Sequence, residues 1–278
     1  MCRTCGCGDA EEIRITTSDG YAPQPSDHHD HGRAGEHHDH PPGPTRTVML
    51  EQQLLAKNDA LAAANRRWLT AEGILALNLM SSPGSGKTTL LERTIREVGG
   101  EMGISVVEGD QETPLDAERI RATGRPVVQV NTGAGCHLDA EMLDGALRAL
   151  RPAVGSTLFI ENVGNLVCPA LFDLGEAGRV VIASVTEGDD KPLKYPHMFR
   201  SANLVLLNKV DLTPYVSFDR DTFTRAVGAV NPDVEVLTVA ATQGQGFDEW
   251  YAWIRAFRAN QSHPAISHAS LDIPLTQE

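Results

Sequence analysis

The sequence predicts a mainly parallel, doubly wound α/β sheet preceded by a disordered arm rich in Cys and His. Three observations carry that expectation. Short Val/Ile/Leu runs without polar alternation mark strands covered on both faces. Helical patterns separate these runs, so successive strands connect through crossovers and lie parallel. Residues 1–47 follow neither pattern: they hold three Cys, six His and five Pro, with eight acids against four Arg. So few apolar side chains cannot bury enough surface to offset the ordering entropy.

Val48 to Trp68 reads as an amphipathic helix. Leu50, Leu54, Leu61 and Trp68 form the stripe, and Glu51, Lys57, Asp59 and Arg66 lie between them. Gly73 breaks it. Strands are expected at Ile74–Met80, Ile104–Val107, Pro126–Val130, Thr157–Ile160, Arg179–Val185, Leu204–Asn208 and Val234–Val239. Helices are expected at Thr88–Val98, Leu115–Ala122, His137–Leu150, Asp219–Val230 and Phe247–Phe257. The chain thus divides into an arm (1–47), one α/β domain (48–259) and a loose polar tail (260–278).

Composition narrows the function. Of 278 residues, 41% are apolar and 22% charged, which is ordinary globular usage. A net charge of −13 argues against a nucleic acid or an anionic membrane as the main partner. Gly73–Met80 and Val180–Val185, the longest apolar runs, fall far short of the ~20 residues of a membrane span. Met1-Cys2-Arg3-Thr4-Cys5 lacks the apolar core of a secretion signal. A cytoplasmic protein with reduced thiols is expected.

Ser81-Ser82-Pro83-Gly84-Ser85-Gly86-Lys87-Thr88-Thr89 follows a strand and opens a helix. This is a phosphate loop of the P-loop NTPase fold, with Ser81 where the usual pattern has Gly. Its backbone N–H groups turn onto phosphates, Lys87 reaches the β/γ oxygens and the Thr88 hydroxyl can hold Mg²⁺. Asn208-Lys209-Val210-Asp211 ends a later strand and matches the N-K-x-D motif of GTP-binding proteins. The Asp211 carboxylate can accept from two guanine N–H groups, which adenine does not offer together. Ala240-Ala241-Thr242, after the last strand, is either a plain loop or a weaker backbone contact to the guanine oxygen. Asp110 and Glu161 end two further strands at the same edge. They are candidates for Mg²⁺ contact and, with Lys87, for hydrolysis: hard cations prefer oxygen donors. No free Arg is obvious as an in-chain finger, so slow turnover is expected.

Two more residue sets suit softer metals. Cys136-His137 and Cys168 follow strands on that edge and could bind Zn²⁺ or Ni²⁺. Cys2-x-x-Cys5-x-Cys7 could wrap one ion; with Met1 removed, the free amine of Cys2 would complete an N,S₃ set suited to square-planar Ni²⁺. His28, His29, His31, His37, His38 and His40, interleaved with acids, suit weaker multisite storage.

Together these blocks resemble the HypB family of hydrogenase nickel-incorporation GTPases. The matching residues are Cys2–Cys7, Ser81–Thr89, Glu108–Gln111, Gly135–Ala140, Glu161–Pro169 and Thr186–Pro196. The resemblance implies that Cys2, Cys5 and Cys7 form the tight nickel site. It also implies that Cys136, His137 and Cys168 form a metal site at a GTP-dependent homodimer interface. A HypA-like nickel-handling protein and a hydrogenase large-subunit precursor would be partners. Lys191 and Lys194, within Thr186–Pro196, receive no chemistry from the sequence. Other readings are a urease-type accessory GTPase, which the Cys2–Cys7 set speaks against, a zinc-delivery GTPase, and a nickel or zinc storage protein with a regulatory nucleotide domain.

Overall fold

The computed structural model describes residues 14–16, 46–111, 115–133 and 135–262. The expected ligands Cys2, Cys5 and Cys7 and the six histidines from His28 to His40 lie outside these residues.

Among the described residues, eight strands form one sheet: β1 (Arg14–Thr16), β2 (Leu75–Ser81), β3 (Ile104–Asp110), β4 (Val127–Asn131), β5 (Thr157–Glu161), β6 (Gly178–Ser184), β7 (Leu204–Asn208) and β8 (Glu235–Thr238). Their order is β1-β4-β3-β5-β2-β6-β7-β8. Strands β2 to β8 are parallel, as the uninterrupted apolar runs require. Strand β1 runs antiparallel, along β4. It lies within the segment read as a disordered arm, so that reading omitted a three-residue strand.

Helices cover both faces. The main ones are α1 (Arg46–Ala71), α2 (Lys87–Met102), α3 (Leu115–Arg121), α4 (Ala140–Leu150), α8 (Arg220–Val230) and α9 (Phe247–Ser262). Leu75, Leu77 and Leu79 of β2 join Leu90 and Leu91 of α2 and Trp250 of α9 in one core. Ala76 of β2 meets Leu69 of α1 and Leu143 and Leu147 of α4 in another. A third packs β6 and β7 against Phe223 and Val227 of α8. Among the described residues, no helix is long and apolar enough to cross a membrane.

Four expectations change. Helix α1 does not bury the predicted stripe: Leu54 and Trp68 are 52% and 40% exposed, whereas Asn58, Ala62, Asn65 and Leu69 face inward. Helix α4 starts at Ala140, not His137. The Asp139 carboxylate accepts from Met142 N–H at 2.8 Å and caps the helix there, leaving His137 on a loop. Short helices α5 (Cys168–Leu171), α6 (Lys191–Lys194) and α7 (Pro196–Arg200) and a 3₁₀ turn at Val210–Tyr215 were not read from sequence. Helix α9 continues to Ser262, into the expected tail.

Candidate functional site

The central strand β2 delivers the phosphate loop to the C-terminal edge of the sheet, where ligands of open α/β sheets bind. Gly84 and Gly86 adopt positive φ, 73° and 100°. A Cβ on Gly86 would come within 2.5 Å of Asn208 Nδ2, so the turn needs glycine for space as well as for φ. Ser81, in place of the usual Gly, is fully buried and occupied: Lys87 Nζ donates to its Oγ at 2.9 Å, and that hydroxyl donates to Ser82 O at 2.6 Å. The departure from the motif therefore gives Lys87 a hydrogen-bond acceptor.

The N-K-x-D motif is tied to this loop. Asn208 Nδ2 donates to Ser85 O at 2.8 Å, and Asn208 Oδ1 accepts from Ala241 N–H at 3.1 Å. Lys209, at φ 60°, donates from Nζ to Gly84 O at 2.7 Å. The Asp211 carboxylate lies on the 3₁₀ turn, where Gln243 Nε2 reaches it at 3.5 Å. Arg93 holds the Ala241–Thr242 carbonyls at 2.8 and 3.1 Å. The structure thus brings Asn208 and Lys209 onto the loop that carries Gly84, Ser85, Gly86, Lys87, Thr88 and Thr89, with Asp211 two residues after Lys209.

The acids gather at the start of α2. Thr88 Oγ1 donates to Glu161 Oε1 at 2.6 Å. Glu161 Oε2 is buried with no hydrogen-bond partner among the described residues. Glu108 pairs in register with Glu161 across β3 and β5. Burial, then the charges of Glu161, Asp110 and Asp116, push Glu108 up to about 9. Burial likewise raises Glu161, against the opposing pull of Lys87 and the Thr88 hydroxyl. Asp110 closes β3, with Oδ1 accepting from Gln111 N–H at 2.7 Å. This crowded oxygen set fits a hard divalent cation, which would relieve the repulsion.

Sequence reasoning missed three residues here. Asp116, in the first turn of α3, adds its charge to this cluster. Arg119, one turn later, donates to Thr89 Oγ1 at 3.0 Å and to Glu92 Oε2 at 2.8 Å and pairs with Asp116 at 3.4 Å, so the arginine beside the phosphate loop is tied into ion pairs. Gly164 lies three residues after Glu161; a Cβ there would approach Pro83 Cα to 3.0 Å. The Glu161-x-x-Gly164 spacing was visible, but the Pro83 contact was not.

The soft ligands converge on the same edge. Cys136 Sγ lies 2.9 Å from Cys168 Sγ and 3.6 Å from His137 Nδ1, and the ligand atoms of all three residues lie within 4.8 Å of one another. Burial lowers the pKa of His137, favouring the neutral imidazole that binds metals. Its ring stacks on Phe172 at 3.9 Å. Asn165 Nδ2 holds Cys136 O at 3.2 Å. Asn162, next to Glu161, is buried; its Oδ1 accepts from Leu138 N–H at 3.1 Å and its Nδ2 donates to Asn78 Oδ1 at 3.3 Å. A buried amide therefore links the acid beside Thr88 to the residue after His137.

Fold and phosphate loop define a P-loop nucleotide-binding protein, with a thiol–imidazole cluster at its edge that could hold a metal ion. Residues 75–238 match the family described as CobW/HypB/UreG, nucleotide-binding domain. The Azotobacter vinelandii hydrogenase maturation factor HypB is 48% identical, over 96% of this chain and 95% of that one. The crystal structure of HypB from Archaeoglobus fulgidus is 42% identical, with TM-score 0.69, over 73% of this chain and 100% of that one. HypB from Helicobacter pylori, solved in complex with nickel, is 38% identical with the same TM-score, over 73% of this chain and 96% of that one. The chain belongs to the HypB family of hydrogenase maturation factors.

Proposed function

We propose that this protein hydrolyses GTP and carries nickel for [NiFe]-hydrogenase maturation. One observation carries the reading: the Cys136–His137–Cys168 cluster is joined through Asn162 to Glu161, which holds the phosphate-loop hydroxyl of Thr88. A switch and a cargo site share one loop.

The phosphate-loop N–H groups and Lys87 bind the β/γ-phosphates, and Asn208, Lys209 and Asp211 hold the guanine. Thr88, Asp110 and Glu161 would hold Mg²⁺, which supplies charge neutralisation at the β/γ oxygens. Asp110 orients the attacking water. Hydrolysis acts as a timing device, since γ-phosphate contacts order loops that relax after cleavage.

Nickel is the cargo, received at Cys136, His137 and Cys168; the same donors also suit Zn²⁺. Cys2, Cys5 and Cys7 form the tight nickel site in this proposal, and the six histidines add capacity. Val167 and Leu171, 50% and 47% exposed on either side of Cys168, favour a second copy closing over the metal edge in the GTP state. A HypA-like protein and the hydrogenase large-subunit precursor are the proposed partners.

The test is nucleotide binding and turnover with GTP and ATP, in wild type and Asp211→Asn. Losing a charged acceptor costs about 1.5–3 kcal/mol, so GTP affinity should fall about 10–150-fold. A preference for ATP, or an unchanged Asp211→Asn variant, would refute the assignment.

A further inference from the structure

The Thr186–Pro196 block has no role in the account above, yet its first acid and first lysine reach the phosphate loop. Glu187 Oε2 accepts from Ser82 Oγ at 2.8 Å and from Lys191 Nζ at 3.0 Å. Lys191 Nζ also donates to Ser82 Oγ at 3.0 Å, closing a three-membered ring of contacts. The side chains of Glu187 and Lys191 are 14% and 23% exposed, so solvent screens the pair far less than an ordinary surface ion pair. The ammonium also lies 5.4 Å from the Tyr195 ring centroid. Glu187 and Lys191 are four residues apart across the turn that opens α6, where Glu187 N–H donates to Ser184 O and Lys191 N–H to Gly188 O. The pair is therefore mounted on the end of β6, the strand beside β2.

The position of Ser82 says what this ring controls. Ser82 precedes Pro83, and Pro83 packs on Gly164. Gly164 shares a loop with Glu161, which holds the hydroxyl of Thr88, the residue at the Mg²⁺ and β/γ end. The Ser82–Pro83 stretch thus lies at the terminal-phosphate end of the loop. Pro83 has no N–H, and Ser82 O accepts from Ser81 Oγ at 2.6 Å and from Ser85 N–H only at a long 3.4 Å. Side-chain contacts therefore do much to place this stretch.

We infer that Glu187 and Lys191 clamp the Ser82 hydroxyl and so position the terminal-phosphate end of the loop, making this pair a determinant of GTP over GDP. The inference rests on the GTPase reading above. Lys191 is a positioning residue, acting through Ser82.

The experiment uses the full chain. It measures affinity for GDP and for a non-hydrolysable GTP analogue, with kcat and KM for GTP, in wild type, Lys191→Met, Lys191→Arg, Ser82→Ala and the double variant Lys191→Met/Ser82→Ala. Lys191→Met should weaken the GTP analogue about tenfold and GDP by less than about twofold, as expected for one lost charged hydrogen bond felt at one phosphate. Ser82→Ala should do the same, the double variant should lose no more than either single variant, and Lys191→Arg should recover most of the loss. Equal losses for GDP and the analogue, or no loss, would overturn the clamp. Additive losses would mean that Lys191 acts apart from Ser82, which also overturns it. If Lys191→Met does not fold, Ser82→Ala decides: a loss selective for the analogue supports the clamp, and any other result overturns it. A wild type that binds no guanine nucleotide refutes the GTPase reading itself; a normal wild type with an unaffected Lys191→Met refutes the clamp alone.

Discussion

Glu108 is buried among Glu161, Asp110 and Asp116, and burial with those charges holds its carboxyl protonated up to about 9. In the unfolded chain the same group ionises near pH 4.5. The folded state therefore binds the extra proton, and stability is lost as pH rises from 4.5 towards 9. Glu108→Gln removes this proton linkage. The difference in melting temperature, variant minus wild type, should grow from pH 5 to pH 9, reflecting at most about 1.4 kcal/mol per pH unit in the metal-free protein. A difference that stays flat across that range would contradict the assignment. At this scale the sequence marked the acids that end strands, Asp110 and Glu161. Asp116 and Arg119 escaped because their place beside α2 depends on how α3 packs, which no local pattern states.

Helix α1 shows what periodicity misses. Its inward stripe includes two asparagines, so the apolar count pointed to the wrong face. Asn58 Oδ1 accepts from Ala140 N–H at 2.9 Å and its Nδ2 donates to Asp173 O at 2.8 Å. Asn65 Nδ2 donates to Ala140 O at 2.9 Å and Leu174 O at 3.0 Å. These amides satisfy backbone groups at the start of α4 and in the turn before β6. Asn65→Ala leaves two buried carbonyls without that donor and should cost about 1–3 kcal/mol, read as a fall of about 3–10 °C in Tm. Leu54→Ser, on the face the sequence favoured, should stay within about 0.5 kcal/mol. The reverse order in thermal melts would restore the sequence's choice of face. The strands were legible because full burial demands unbroken apolar runs: every residue of β2, β5 and β7 is buried. The start of α4 was misplaced because the Asp139 cap, rather than apolar spacing, sets it.

Across the whole molecule, the account turns on the two loops at the C-terminal edge of β4 and β5. The phosphate loop and N-K-x-D motif could be read directly, since each is a contiguous string with its own chemistry. Cys136, His137 and Cys168 could be read as ligands, but only the fold brings the two sulfurs to 2.9 Å and bonds Asn162, the neighbour of Glu161, to the Leu138 N–H beside His137. In the proposed mechanism, a displacement of Glu161 on binding GTP would be passed through Asn162 to the Leu138 N–H beside His137. Linkage requires metal to change GTP affinity by the same factor as GTP changes metal affinity. The most direct measurement is a nickel titration of the chain carrying Cys2→Ser, Cys5→Ser, Cys7→Ser and alanine at His28, His29, His31, His37, His38 and His40. It is run with GDP and with a non-hydrolysable GTP analogue, against a control that also carries Cys136→Ala and Cys168→Ala. The account predicts a change of about 5–150-fold in nickel affinity between the two nucleotide states, absent in the control. Equal affinity in both states, with the cluster otherwise intact, would contradict it.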